Sequence, residues 1–269
     1  MTKVLKEAQA LGDDHALIQY EDLDGVVRLT LNQPSRRNAL SRALLMELRK
    51  QLELVAGSSV VRVVIVAAAG PVFSAGHDLR ELRAATPEQT QEIFSLCTEV
   101  MQKLTALPQP VIAQVQGLAT AAGCQLAASC DLIVAATTAS FATPGVKVGL
   151  FCTTPSVPLF GVLPEKKLLE MLLTGEPLSA EEAKSLGLVN QVYPPERLAE
   201  ATLTLARHLA MASSQVLAEG KRSFYRLRHL ERTAAYAEAT CLMATQALAP
   251  PAREGMAAFL EKRPPRWPA

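Results

Sequence analysis

The fifteen residues from Val115 to Ser129, VQGLATAAGCQLAAS, constrain this chain more than any other stretch. Val115 closes an apolar run, Gly117 breaks it, and a turn of small residues follows. Residues 120–129 then read as a helix of Ala, Gly, Cys and Leu, too small and too apolar to face water. Such a helix is stable only when enclosed, and its short side chains let neighbouring backbones approach closely. At 269 residues the chain can enclose it within one or two domains.

The flanking patterns say what encloses it. Val60–Ala67 and Val111–Gln116 are rich in Val and Ile, as suits strands covered on both faces. Leu132–Ala135 and Ser140–Phe141 read as shorter strands, and residues 18–31 as two strands joined by a hairpin at Asp24-Gly25. Ser41 is placed to cap a helix reaching about Ala56, with Leu44, Leu45, Leu48 and Leu52 on one face. A second helix runs from about Pro87 to Ala106 and stops before Pro108. This alternation predicts an α/β layered core. From about Pro155 only helical spacing remains, over Pro164–Leu173, Ser179–Leu186, Pro195–Ser213, Ala218–Ala247 and Arg253–Lys262. We read a core over residues 15–200 and a helical extension over 201–269.

The charge balance gives no sign of a polyanionic partner. Lys and Arg number 27 against 26 Asp and Glu, so neither nucleic acid nor a membrane surface is indicated. Five scattered cysteines lack metal-ligand spacing, and no metal site is expected. Unpaired thiols suit a reducing compartment. Residues 1–14 carry charges within every apolar run and are neither Arg- nor Ser-rich, unlike a secretory or transit leader. No apolar run is long enough to span a bilayer. A cytoplasmic location is the resulting expectation.

Two glycine-containing turns each follow a strand and open a helix, in Phe73-Ser74-Ala75-Gly76-His77-Asp78-Leu79 and in Ala121-Ala122-Gly123-Cys124-Gln125. Backbone N–H groups at such positions lack intrahelical acceptors, and two that converge form an oxyanion site. These blocks, with Asn38-Ala39-Leu40, the run 172–192 (LLTGEPLSAEEAKSLGLVNQV) and Glu254-Gly255-Met256 through Arg263, occur in the order and spacing of one family. Over roughly residues 15–265 the chain resembles the crotonase superfamily, the enoyl-CoA hydratase/isomerase enzymes.

The resemblance implies a crotonase-like spiral of ββα units with a C-terminal helical region that trimerises, as a homotrimer or a dimer of trimers. It implies an acyl-CoA thioester as substrate, with coenzyme A arriving as part of it and no permanently bound cofactor. It places the oxyanion donors at the backbone N–H groups of His77 and Ala122. It puts the backbone of Ala75 against the coenzyme, Arg36 and Arg37 near its phosphates, and Phe259 and Lys262 of a neighbouring subunit against it. Guanidinium groups suit phosphate geometry.

The departures carry as much weight. The two glutamates that move protons in the family's hydratases align with Gln125 and Gly145. An amide takes no proton at neutral pH, and glycine offers no group at all. A general acid or base contributes about 10²–10⁴-fold, so ordinary hydration is expected to be impaired. Cys152 and Thr153, assigned with Gly145 to the substrate pocket, fall where some isomerases of the family carry an acidic residue, and Thr153 can only hydrogen-bond. Decarboxylation or C–C cleavage fits these residues better than hydration. A protein that binds acyl-CoA with little or no turnover is the alternative. Among the remaining candidates, Asp78 reads as a helix cap, Asp131 as a partner for backbone groups, and Cys124 as a small core residue. Lys221, Arg226, Arg228 and Arg232 read as a solvated or subunit-contact helix face, and His15, His208 and His229 as surface residues.

Overall fold

A computed structural model describes residues 16–268. The readings of residues 1–14 as leaderless and of His15 as a surface residue lie outside the described residues. The chain opens with β1 (Ile18–Asp22) and β2 (Val26–Leu31), paired antiparallel. Asp24 and Gly25 both take positive φ, 63° and 80°, and the Leu23 N–H bonds the Val26 carbonyl at 2.8 Å, as in a type I′ turn. Next comes α1 (Arg42–Ala56), whose cap is the Ser41 hydroxyl accepting from the Leu44 N–H.

The chain then repeats one path three times. It contributes β3 (Val63–Ala68) and β4 (Val72–Ser74), followed by α2 (Leu79–Ala84) and α3 (Pro87–Ala106). It continues with β5 (Val111–Val115), β6 (Leu118–Thr120) and α4 (Ala122–Ala128). The third round is β7 (Leu132–Ala136) and β8 (Ser140–Ala142), followed by a 3-10 turn at Pro144–Val148 and the short α5 (Thr153–Ser156). In each round the first strand joins a larger sheet and the second a smaller one. The orders are β1-β2-β3-β5-β7-β10 and β4-β6-β8-β9. The predicted α/β core and its ββα spiral are therefore present.

The later half is α6 (Glu165–Thr174), β9 (Leu178–Ser179), α7 (Ala180–Ser185), β10 (Gln191–Tyr193) and α8 (Pro195–Ala210). It ends with α9 (Ser214–Leu227), α10 (Arg232–Leu248) and α11 (Pro250–Leu260). Two expectations fail here. The region after Pro155 is not all helix: β10 extends the larger sheet beside β7, and β9 closes the smaller one beside β8. The predicted helix Ala218–Ala247 is two helices, broken after Arg228 and restarted where the Glu231 carboxylate accepts from the Thr233 N–H.

The continuous apolar run of β3 has a simple cause. Val64 and Val66 face a core shared with Leu44, Leu48, Val100 and Leu104 of α1 and α3. Val63, Ile65 and Ala67 face the opposite way, against Leu198 and Ala206 of α8. Burying each such side chain contributes about 1.5–3 kcal/mol. Since α8 covers the second face of the sheet, that helix runs unbroken through the 200/201 boundary read from sequence. The small helix α4 lies within the first core, with Ala122, Cys124, Leu126 and Ala127 all buried. Its size is required: a Cβ on Gly123 would drive into the Ser74 carbonyl.

Candidate functional site

The packing of α4 on β4 brings the two glycine turns together. Gly76 has φ +82°, and a Cβ on it would sit 2.9 Å from the Ala121 Cβ and 3.2 Å from the Ala122 nitrogen. The turns that carry His77 and Ala122 are thus in direct contact. The Ala122 N–H is in the first turn of α4, where no intrahelical acceptor exists. Ala121, just before it, holds φ 52° and ψ −121°, a conformation that L-residues rarely adopt and that costs roughly 1–3 kcal/mol. Its N–H is pinned by the Ala142 carbonyl at 2.9 Å.

A buried polar hub holds the first turn. Asn38 is fully buried with φ 49°. Its Oδ1 accepts from the Gln33 N–H at 2.8 Å, and its Nδ2 donates to the carbonyls of Ala69 and Val72 at 2.9 and 2.8 Å. The Ser74 hydroxyl donates to the Asn38 carbonyl. The Ala75 N–H bonds the Arg37 carbonyl at 3.0 Å, and the Leu40 N–H the Gly76 carbonyl at 2.8 Å. Sequence reading placed Asn38 in a motif without giving it this role. Its tolerance of positive φ was the available signal.

The His77 ring is largely enclosed, edge-on to Phe94 at 4.9 Å between centroids. Its Nδ1 lies 3.4 Å from the Leu40 carbonyl, a contact in which the nitrogen donates, and its Nε2 is buried without a partner. Burial lowers its pKa below 6.5, so the ring is neutral at pH 7. Asp78 caps α2 by accepting from the N–H groups of Arg80 and Glu81. His77 and Asp78 join Arg36, Arg37 and Ala39 around an open cavity of about 370 Å³. The Arg36 guanidinium is 3.9 Å from the Asp78 carboxylate.

Gln125 faces another cavity, of about 550 Å³, between α3, α4, α5 and α9. It is only 4% exposed, and its Oε1 has no hydrogen-bond partner. Gly145 is closed off: a side chain there would meet the Leu150 carbonyl at 2.8 Å and the Cys152 sulfur at 2.9 Å. The Gly145 N–H donates to that sulfur at 3.3 Å. Burial pushes the Cys124 thiol up to about 12 and raises Cys152 as well, so neither is a thiolate at neutral pH. Thr153 is exposed and donates to the Phe151 carbonyl, while Thr154 lines the cavity. Phe259 (82% exposed) and Lys262 project from the end of α11 and line neither cavity.

One sequence reading is corrected here. Lys221 is not on a solvated face. Its ammonium lies 2.7 Å from the Asp131 carboxylate and donates to the carbonyls of Leu104 and Gln109. Asp131 also accepts from the Val111 N–H at 2.7 Å and the Tyr225 hydroxyl at 2.9 Å. Burial works against both charges, raising Asp131 and lowering Lys221 despite their attraction. No group of three or more His, Cys, Asp or Glu residues suited to a metal exists among the described residues.

The chain is similar to known proteins over most of its length. The sequence profile of a family described as enoyl-CoA hydratase/isomerase matches residues 21–269. The chain is 47% identical to the rat "Enoyl-CoA hydratase domain-containing protein 3, mitochondrial" over 245 residues, 91% of this chain and 82% of the relative. It superposes on the crystal structure of an enoyl-CoA hydratase from Mycobacterium smegmatis with a TM-score of 0.90, at 46% identity and covering 93% and 98% of the two chains. The structure of human enoyl-CoA hydratase domain-containing protein 3 gives 0.89 at 45% identity, covering 93% and 100%. The mitochondrial designation of the rat relative overturns the expectation of a cytoplasmic location. Scattered thiols and the charge pattern of residues 1–14 do not single out one compartment.

Proposed function

This chain belongs to the enoyl-CoA hydratase/isomerase family, and we propose that it is an acyl-CoA-processing enzyme whose oxyanion hole is intact and whose proton-moving carboxylates are absent. The N–H groups of His77 and Ala122 polarise the thioester carbonyl and stabilise the enolate-like charge that develops on it. One observation carries this reading: the two turns abut, with the Gly76 Cβ direction ending 3.2 Å from the Ala122 nitrogen. The strained Ala121 supports it, since such strain persists where surrounding structure over-determines a backbone position.

Arg36 and Arg37, beside His77 in the 370 Å³ cavity, engage the coenzyme phosphates, and the Ala75 backbone faces the pantetheine and adenine. Phe259 and Lys262 reach the coenzyme on a neighbouring subunit of a homotrimer or dimer of trimers. Gln125 stands where a glutamate would move a proton. It positions a water or a substrate oxygen without taking its proton. Thr154 lines the cavity that Gln125 faces, while Gly145 is closed off by Cys152 and the Leu150 carbonyl. Reactions that ask little of acid–base groups, such as decarboxylation or C–C cleavage, suit this set better than hydration.

The test compares turnover of crotonyl-CoA and longer 2-enoyl-CoAs with a family hydratase that has both glutamates. We expect acyl-CoA binding with hydration at least about 10²-fold slower. Comparable hydration rates would refute the impairment. The missing carboxylates also favour a second reading, acyl-CoA binding without turnover. Product from any of a panel of enoyl-, hydroxyacyl-, malonyl- and dienoyl-CoAs would remove it.

A further inference from the structure

The 550 Å³ cavity does not end at Gln125. Its lining also takes in Met101 of α3, Val157, Leu188 and, just past the end of α9, Arg228. The apolar part of this lining suits a hydrocarbon chain, and the volume fits a small ligand. One carboxylate and one guanidinium line it, those of Asp131 and Arg228. Asp131 is committed to Lys221, to the Tyr225 hydroxyl and to the Val111 N–H. Its charge is balanced within the protein.

Arg228 differs. Among the described residues no carboxylate lies within ion-pair distance of it. Its recorded partners are neutral: the Phe160 carbonyl at 3.3 Å and the face of the Phe224 ring at 6.0 Å. Both hold the guanidinium at the cavity rim while leaving its charge uncompensated. A cavity that is apolar over much of its lining and carries one uncompensated guanidinium matches a particular ligand shape: an alkyl chain that bears an anion.

We propose that the acyl group taken by this site carries a terminal carboxylate, received by Arg228, so that the preferred ligands are ω-carboxyacyl-CoA thioesters. This rests on the reading of the site as acyl-CoA-binding, with the thioester near His77, Ala122 and Gln125. Phe224 and Phe160 orient the guanidinium, and Arg228 acts in specificity, remote from the reacting atoms.

The experiment is calorimetric titration with unreactive matched pairs: butyryl- against succinyl-CoA, hexanoyl- against adipyl-CoA, and octanoyl- against suberyl-CoA. For at least one chain length the carboxylate form should bind about fivefold tighter, as one solvent-accessible ion pair allows. Arg228→Ala should erase that preference, and an unchanged circular dichroism melting curve shows that the variant is folded. Arg228→Lys should retain part of it. No preference at any length, or a preference that survives Arg228→Ala, overturns the inference while the acyl-CoA reading stands. Failure of every CoA ester to bind overturns both.

Discussion

At the residue scale, the site depends on side chains whose environment changes their ordinary behaviour. His77 is the measurable case. Its folded pKa is lowered by burial, so between that value and 6.5 the unfolded chain binds more protons than the folded one. Its contribution to stability is therefore complete above pH 6.5 and is lost as pH falls through the lowered folded value. Urea midpoints measured from pH 7.5 to 5 should fall more steeply for the wild type than for His77→Leu; equal slopes would contradict the buried neutral ring. The well-paired carboxylate of Glu254 is held down to about 2 by Arg263, so its titration stays below this window. Gln125 and Gly145 are simpler. Their identities are plain in the sequence, and neither an amide nor a glycine supplies a carboxylate. What the sequence did not disclose is that Cys152 and the Leu150 carbonyl now occupy the space a side chain at 145 would need.

At the element scale, helix α9 is fastened to the sheet by one buried ion pair. Lys221 joins the end of α3 and the start of β5 through the Leu104 and Gln109 carbonyls, and meets Asp131 at the start of β7. Removing one half leaves the other charge buried and unpaired. Lys221→Ala should cost about 3–5 kcal/mol in a denaturant titration. Lys221→Met with Asp131→Asn should recover much of it; no recovery would mean that the ammonium matters for packing alone. The sequence hid this pair because position 221 has arginines at 222, 226 and 228 around it, and only the docking of α9 decides which cation turns inward. The same limit explains β9 and β10. Two or three residues carry no usable periodicity, and Gln191–Tyr193 become a strand because β7 offers them an open edge. The break after Arg228 has neither Gly nor Pro to mark it. The Asp24-Gly25 hairpin, by contrast, was legible because its requirement for positive φ is local.

At the scale of the whole molecule, the C-terminal helices leave Tyr236, Met243, Leu248, Met256, Phe259 and Leu260 exposed. That much exposed apolar surface is unusual for a monomer. The trimer that the family resemblance implies would cover it. Light scattering should give three or six times the chain mass of 28.9 kDa. Phe259→Asp with Leu260→Asp should shift it toward one. A single-chain mass for the wild type would contradict the assembly and the role given to Phe259 and Lys262.

The sequence alone determined which segments had to be buried, since hydrophobic runs and small-residue helices have few stable placements. It also determined that a glutamine stands at 125 and a glycine at 145, because a side chain is present or it is not. Tertiary structure decided which distant segments meet. The contact of Gly76 with Ala122, the Asn38 hub, the Lys221–Asp131 pair and the cavity joining Gln125 to Arg228 all span many residues of chain. Such contacts depend on how whole layers pack, and no local pattern specifies that.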